Sequence, residues 1–311
     1  MKYAFGIVVA VVALVTGYTV SWMITPIIIG ITYAIAALGV SVMMRAGQVS
    51  FGHAIYACIS AYTVAFLARA YPELDSIVLI VAGVFAACVA SMVIGVFVAR
   101  YRDIFFGMLN LALSMVLFAL LSKLYHITGG TDGLRIDRPT ILGMELERVP
   151  YEFTLLVITL VVAFGLALWI QRYFHSGDGE ALAAIKTNET RLEYLGFSAY
   201  SIMWRGYVIS AAVVGFSGAL LALIQGLVMP EIGLWLRSAE YVFIAILGGA
   251  GHVIGAFLGA LVFEAVKLLS TAYFPGLWQF ILGFTLIIVI FVFPKGIVGQ
   301  LSRLFKSSRE A

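Results

Sequence analysis

Charge is scarce in this sequence. Only 11% of its 311 residues are Asp, Glu, Lys or Arg, and 63% are apolar. An ordinary soluble domain is about 25% charged and about 45–50% apolar. A chain this poor in charge cannot cover its surface in water, so lipid is the solvent for most of it. The net charge of +3 gives no case for a nucleic-acid partner. Cysteine is nearly absent too. Cys58 and Cys88 fall inside apolar runs and read as small hydrophobes, with no disulfide framework or metal cluster implied. His53 has no second histidine at ligand spacing, and His126, His175 and His252 fall between the apolar runs, so no metal site is expected. There is no G-x-x-x-x-G-K-S/T, no G-x-S-x-G and no H-E-x-x-H. Hence no ATP site, no catalytic residue and no cofactor of its own is expected in this chain. Among the apolar runs Glu264 reads as a lone acid, whereas an ion-coupled pump usually carries chains of them. Uphill transport would then draw its energy from another subunit. A redox subunit is disfavoured because no span carries a haem-type ligand pair.

What the sequence does have is apolar runs near the roughly 20 residues that cross a bilayer. They lie at about 3–22, 24–44, 50–70, 76–98, 105–124, 153–171, 206–226, 254–273 and 278–293, with a shorter run at 238–250. The first begins Met1-Lys2 like a signal peptide, but no small-x-small cleavage site follows, so it is kept as a signal anchor. The short run is a tilted, re-entrant or broken crossing. The expectation is an all-α, polytopic membrane protein, one domain over 1–311, with about ten crossings.

Positive charge sets the orientation. With the amino terminus inside, the cytoplasmic side holds Lys2, Arg45, Arg100, Arg102, Arg172, Lys186, Arg191, Arg205, Lys295, Arg303, Lys306 and Arg309. The other side holds Arg69, Lys123, Arg135, Arg138, Arg148 and Arg237. This bias of 12 to 6 puts both termini in the cytoplasm, with a long periplasmic loop at 125–152 and a long cytoplasmic loop at 172–205.

That cytoplasmic loop has a helical pattern. Asp178 reads as its N-cap and Gly196 as its stop, with Thr187 or Asn188 able to divide it in two. Leu182, Ile185, Leu192 and Leu195 fall near one face, suited to lying on a bilayer or docking into a cytosolic partner. In the ninth span Gly251, Gly255 and Gly259 form a small-residue stripe beside Ala256 and Ala260, read first as a packing seam. Glu264 and Lys267 on the same span read as its ionisable pair, either bonded to each other or lining a path. Gln48, Ser50 and His53 at the entrance of the third span either bond the local backbone or line that path.

Several motifs, in order, resemble one family. They are GQVSFGHAIYACISAY at Gly47–Tyr62, ITGGTDGL at Ile127–Leu134, GEALAAIKTNETRLEYLGF at Gly179–Phe197, GFSGALLALIQGLVMPE at Gly215–Glu231, SAEYVFIAILGGAGHVIGAFLGA at Ser238–Ala260 and FPKGIVG at Phe293–Gly299. The set is similar to the M-type membrane permeases of ABC importers in the branched-chain amino-acid (Liv-type) group. The resemblance implies that the cytoplasmic loop is a coupling helix seated in an ATPase cleft, with Glu180, Ala184, Ile185, Asn188, Glu189, Leu192, Leu195 and Gly196 at the coupling positions. It further implies a second, H-type permease, two ATPase subunits that bind ATP and magnesium, a periplasmic binding protein, and the bacterial inner membrane. Cargo would be leucine, isoleucine and valine or a related small solute. An ATPase-independent secondary transporter or channel is the alternative reading.

Overall fold

The computed structural model describes residues 2–292 and 296–299. The charges at Lys295, Arg303, Lys306 and Arg309, the side of the carboxy terminus, and Phe293–Lys295 of the last motif lie outside them. The architecture is all-α. Its helices are α1 (Lys2–Thr19), α2 (Ile24–Arg45), α3 (Ala54–Ala70), α4 (Ser76–Val98), α5 (Asp103–Lys123), α6 (Tyr125–Thr128), α7 (Arg148–Phe174), α8 (Gly177–Tyr194), α9 (Ala199–Gln225), α10 (Trp235–Gly248), α11 (Val253–Tyr273) and α12 (Trp278–Val292). A two-residue ribbon pairs β1 (Leu134–Arg135) antiparallel to β2 (Leu227–Val228).

Six helices among the described residues are long and apolar enough to cross a membrane: α2 with its preceding turn, α4, α5, α7, α9 and α11. Of the about ten crossings expected, one of them short or broken, six correspond to helices of full crossing length among the described residues. α3, α10 and α12 have 17, 14 and 15 residues, or roughly 20–26 Å at 1.5 Å per residue. Other boundaries move the opposite way. α7 and α9 run past the expected spans into polar flanks, because helical hydrogen bonding tolerates charge once the chain leaves the apolar layer.

α2 and α9 form the buried axis and pack most extensively on each other. The Ser210 hydroxyl donates to the Gly39 carbonyl at 2.7 Å. A Cβ on Gly39 would sit 2.8 Å from the Ser210 carbonyl oxygen, so glycine is what lets the two backbones approach. Arg45 at the end of α2 and Arg205 near the start of α9 both reach α8, so the two helices are antiparallel. α3 and α4 pack on α9, while α10 and α11 pack on α2. The chain is thus an inverted repeat of two four-helix units, α2–α5 and α9–α12.

Each unit contains one broken crossing. After α2, residues 46–53 turn back inward from the α8 end, starting with Gly47 at φ +78°. A Cβ on Gly52 would strike the Asn110 backbone, so the segment reaches about 10 Å along α5 before α3 begins. After α9, Gly226 turns at φ +62° and a 3-10 turn at Pro230–Gly233 descends from the ribbon end. Its Gly233 carbonyl accepts from the Ser114 hydroxyl at 2.6 Å, halfway along α5. α3 and α10 therefore both start near mid-depth and run apart, and the Ala54 amide donates to the Ser238 hydroxyl oxygen at 2.8 Å where they meet. The short run at 238–250 forms most of α10, entered through the 3-10 turn at Pro230–Gly233, and the third helix starts at Ala54 because the residues before it are irregular chain packed against protein.

Candidate functional site

Two parts of the molecule carry chemistry that packing alone does not need: α8 at one end, and a charge cluster at mid-depth.

α8 is capped at both ends. Its N-cap is Ser176, whose hydroxyl oxygen accepts from the Gly179 amide at 3.3 Å; the expected cap, Asp178, lies inside the first turn, where its charge suits the helix dipole. Asn188 leaves helical geometry at φ −163°, ψ 96° and its side-chain oxygen accepts from the Arg191 amide at 2.9 Å. One residue thus breaks the helix and caps the second piece, as the sequence suggested. At the far end the Gly196 amide bonds to the Glu193 carbonyl at 2.9 Å and the Phe197 amide to the Leu192 carbonyl at 3.3 Å, with Gly196 at φ +87°. That pair of bonds is a Schellman stop, which a left-handed glycine permits.

The inward face of α8 corrects the expected docking surface. Ile185 and Leu192 are only 6% and 5% exposed, and Leu182 is fully buried, packed among the chain's own core residues. They anchor α8 to the membrane domain. The large apolar groups that face outward are Tyr194 (88% exposed), Leu195 (71%) and Phe197 (51%), around the Gly196 turn. Ala184 is half-buried, and Asn188 and Gly196 are exposed.

Three ion pairs tie α8 to three separate elements. Arg45 at the end of α2 bonds Glu180 at 2.9 Å, the Phe174 carbonyl at 2.9 Å and the Gly179 carbonyl at 3.1 Å. Arg102, just before α5, grips Glu189 with two parallel bonds of 2.9 Å and also bonds the Ala99 and Tyr101 carbonyls. Arg205 on α9 approaches Asp178 at 3.2 Å. The Glu180 and Glu189 expected at coupling positions therefore meet arginines of this chain. Sequence reasoning missed those arginines, because partners 87 and 135 residues apart leave no local pattern.

The second part surrounds Tyr33 of α2. Glu264 and Lys267 do not pair with each other. The Lys267 ammonium donates to the Tyr33 hydroxyl at 3.3 Å and sits over the rings of Tyr33, Phe263 and Trp278 at 4.9, 5.9 and 5.8 Å. Glu264 lies beside Gly30, and its Oε2 is buried with no hydrogen-bond partner among the described residues. Arg237, expected in a periplasmic loop, is in the first turn of α10, half-buried, bonding the Tyr33 hydroxyl and Glu240 Oε2, the latter at 2.9 Å. Of the 6 charges expected on that side, 6 minus Arg237 leaves 5 in loops or at helix ends. Glu264 is not a lone acid either, since Glu240 joins it beside Tyr33. Glu240 was legible as a charge in an apolar run, a signal that marks function in membranes. Glu240 also lines a cavity of about 370 Å³ between α10, α11 and α12.

The remaining sequence candidates are structural in this conformation. Gln48, Ser50 and His53 are buried. Gln48 accepts from the Asp103 amide at 2.6 Å, capping α5, and Ser50 meets His53 Nδ1 at 2.6 Å. Beside them runs a neutral chain: Tyr56 hydroxyl to Tyr207 hydroxyl and Tyr207 hydroxyl to Asn110 Oδ1, each 2.7 Å. Gly255 and Gly259 do form a seam, against Gly248 and Ile244 of α10, within the subunit; Gly251 precedes α11 at φ +132°, where an added Cβ would meet nothing, so it is not part of the stripe. At the ribbon end, Asp137, Arg138, Thr140 and Glu145 rim an open polar basin.

The family described as the branched-chain amino acid transport system / permease component matches residues 22–290. The chain is 31% identical to the LivM permease protein of Escherichia coli over 252 residues, 74% of this chain and 59% of that protein. It is 27% identical to BraD of Pseudomonas aeruginosa over 296 residues, 89% of this chain and 95% of that protein. It is 25% identical to LivH of Escherichia coli over 308 residues, covering 91% and 96%. All three carry names of high-affinity branched-chain amino acid transport system permeases. The match spans 59% of the length of the Escherichia coli and Salmonella typhimurium LivM proteins. No solved structure matches. With the family match running from α2 to α12, the chain belongs to the branched-chain amino acid transport system permease components.

Proposed function

We propose that this chain is an M-type permease subunit of an ABC importer in the bacterial inner membrane, carrying leucine, isoleucine and valine or a closely related small solute. It forms half of the translocation path beside a second, H-type permease. Two ATPase subunits hold ATP and magnesium, and a periplasmic binding protein delivers cargo at the polar basin of the ribbon end. The chain crosses the membrane ten times, counting α1, the two broken crossings and α12 with the six long helices. Both termini and α8 lie in the cytoplasm. Among described side chains the α8 end holds seven Lys/Arg (Arg45, Arg100, Arg102, Arg172, Lys186, Arg191, Arg205) against five at the other end (Arg69, Lys123, Arg135, Arg138, Arg148), which supports that orientation.

The observation that carries this reading is α8 itself. It is a kinked, doubly capped helix that presents Tyr194, Leu195 and Phe197 outward while ion pairs tie its inner side to α2, the start of α5 and α9. Such a segment takes a push on its outer face and delivers it to three membrane elements at once. Of these, α5 packs least on its neighbours within this chain. Alternating access then follows from two packings of the repeats selected by nucleotide-driven displacement of α8. The pieces that move are held by half-exposed ion pairs, which rearrange at low cost. Glu264 and Lys267 belong to the path, whereas Gln48, Ser50 and His53 seal its first half.

The test is assembly and uptake with the partner subunits. Leu195→Asp and Gly196→Val lie on the outer face and are expected to fold, to lose the ATPase subunits in pull-down, and to lose ATP-driven uptake. Assembly and uptake equal to the parent would remove the coupling role. ATP-independent leucine exchange by this chain alone would instead support a secondary transporter or channel.

A further inference from the structure

Asp103, the first residue of α5, stands at φ +52°. A residue other than glycine takes this left-handed conformation rarely and at a cost, and it persists only where the surroundings over-determine it. Two restraints do so here. The Gln48 side-chain oxygen accepts from the Asp103 amide at 2.6 Å. Arg102, extended at φ −130° and ψ 162°, is fixed by its bonds to the Ala99 and Tyr101 carbonyls and by its paired bonds to Glu189. Both restraints lead back to α8, from opposite sides of its break at Asn188. Glu189 follows the break. Lys186 precedes it and lies over Gly47, the neighbour of Gln48, where an added Cβ would come 3.0 Å from the Lys186 Cγ. The same segment carries α5. An added Cβ on Gly107 would sit 3.2 Å from the Val49 carbonyl oxygen, and one on Gly52 would strike the Asn110 backbone. The chain at 47–52 is thus a bearing between α8 and about the first two turns of α5, with the strained residue at its edge.

We propose that Asp103 is the hinge of α5, a positioning residue whose backbone passes from the left-handed to the right-handed region when α8 moves. The hinge rests on the transport reading above and supplies the joint at which displacement of α8 reaches α5. Lys186 and Glu189 lie on different pieces of α8, so a change of angle at Asn188 pulls one contact away from the other. Losing either contact removes a restraint, and the backbone relaxes out of its costly conformation. A change of φ at one residue re-aims all that follows it, so α5 pivots off the 47–52 segment as a rod. Aspartate suits such a hinge. Like asparagine it tolerates a left-handed φ, whereas alanine bears the full cost and glycine none. The Asp103 side chain is exposed, so the role belongs to its backbone and not to a buried charge.

The experiment uses the complete transporter in vesicles and measures the distance between spin labels on α4 and α5, with and without vanadate-trapped nucleotide. The labels go on Phe85→Cys and Val116→Cys, both exposed, in a Cys88→Ala background; Cys58 is buried. The parent is expected to show one distance without nucleotide and a second with it. Asp103→Gly should cut the second population by about threefold or more, because glycine removes the strain that drives release. Asp103→Ala should show the second distance without nucleotide, and Asp103→Asn should match the parent. Glu189→Gln removes a restraint while leaving Asp103 in place, and should act like Asp103→Ala. A merely structural role would not shift the glycine and alanine variants in opposite directions. Distances identical in the parent, Asp103→Gly and Asp103→Ala would overturn the hinge; if nucleotide still produces the second distance in all three, the transport reading stands and only the hinge fails. A parent that ignores nucleotide while Asp103→Ala and Glu189→Gln shift the distance would keep the hinge and remove the ATP-driven reading.

Discussion

The two repeats of this chain put the same elements at the same depth and fill them with opposite chemistry. Where α3 starts, the groups are neutral and mutually bonded: Ser50 with His53, then Tyr56, Tyr207 and Asn110 in a line. Glycines bring backbone against backbone there, Gly52 on Asn110 and Gly218 on Ala57. Where α10 starts, the groups are charged, two arginine- or lysine-type cations and two carboxylates around Tyr33, and α12 leaves a cavity beside them. A neutral network can be sealed dry at modest cost, even with His53 Nε2 buried and without a partner among the described residues. A charged one cannot, since each buried charge costs about 2.5–3.5 kcal/mol on insertion scales unless a counter-charge or water meets it. The α3 start is therefore sealed, while the α10 start keeps charge beside open space even though α10 and α11 also meet in a glycine seam.

The sharpest way to break that contrast is to crowd the sealed side. Gly218→Val drives a branched side chain into the Ala57 backbone and should destabilise by about 3 kcal/mol or more. Gly283→Ala on α12, where an added Cβ meets nothing, should change melting by less than about 0.5 kcal/mol. Melting in detergent with size-exclusion chromatography reads both, and equal losses would erase the distinction.

Next in size comes the anchor of α8. Ile185→Asp or Leu192→Asp buries a carboxylate against the chain's own core and should cost roughly 2–5 kcal/mol. Leu195→Asp, at 71% exposure, should leave melting untouched and act only on assembly with the ATPase subunits. If the buried positions tolerate charge and the exposed one does not, the inner and outer faces have been exchanged.

A smaller effect is expected at Tyr207. Tyr207→Phe leaves Asn110 Oδ1 and the Tyr56 hydroxyl short of a partner, a loss of about 1–3 kcal/mol in stability with transport retained in the folded fraction. Lys267→Met should do the reverse, changing stability little and removing uptake. Parallel melting and uptake curves for the two variants settle whether the sealed network and the charged cluster differ in kind.

The smallest stability effect belongs to Arg102 and Glu189. The pair is part-exposed, so Glu189→Gln should cost no more than about 1 kcal/mol. Uptake should nonetheless fall, and the exchange Arg102→Glu with Glu189→Arg should restore part of it. Unchanged uptake in Glu189→Gln would remove α5 from the route by which α8 acts.

Much of this was legible in the sequence for a definite reason. Long apolar runs, the glycine stop at Gly196 and the break at Asn188 are local, and local patterns survive without the fold. The inward turn of Ile185 and Leu192 was not legible, because an amphipathic face says only that something covers it. The membrane domain of the same chain does so. Arg237 was misplaced because it stands beside a run too short to be a span, and only the broken crossing after Gly226 carries it to mid-depth. Spacing offers Lys267 either Glu264 as a partner or a place on a path, and does not show the aromatic rings from α2, α11 and α12 that hold it, because ring contacts between helices have no sequence period.

The measurement closest to the central claim is leucine uptake into vesicles holding this chain with the proposed second permease and ATPase subunits, with the proposed binding protein, loaded, outside. Uptake should require ATP in the lumen, and Leu195→Asp should abolish it while the chain stays folded in the membrane. Uptake or exchange that proceeds without ATP, or that Leu195→Asp leaves intact, would contradict the account.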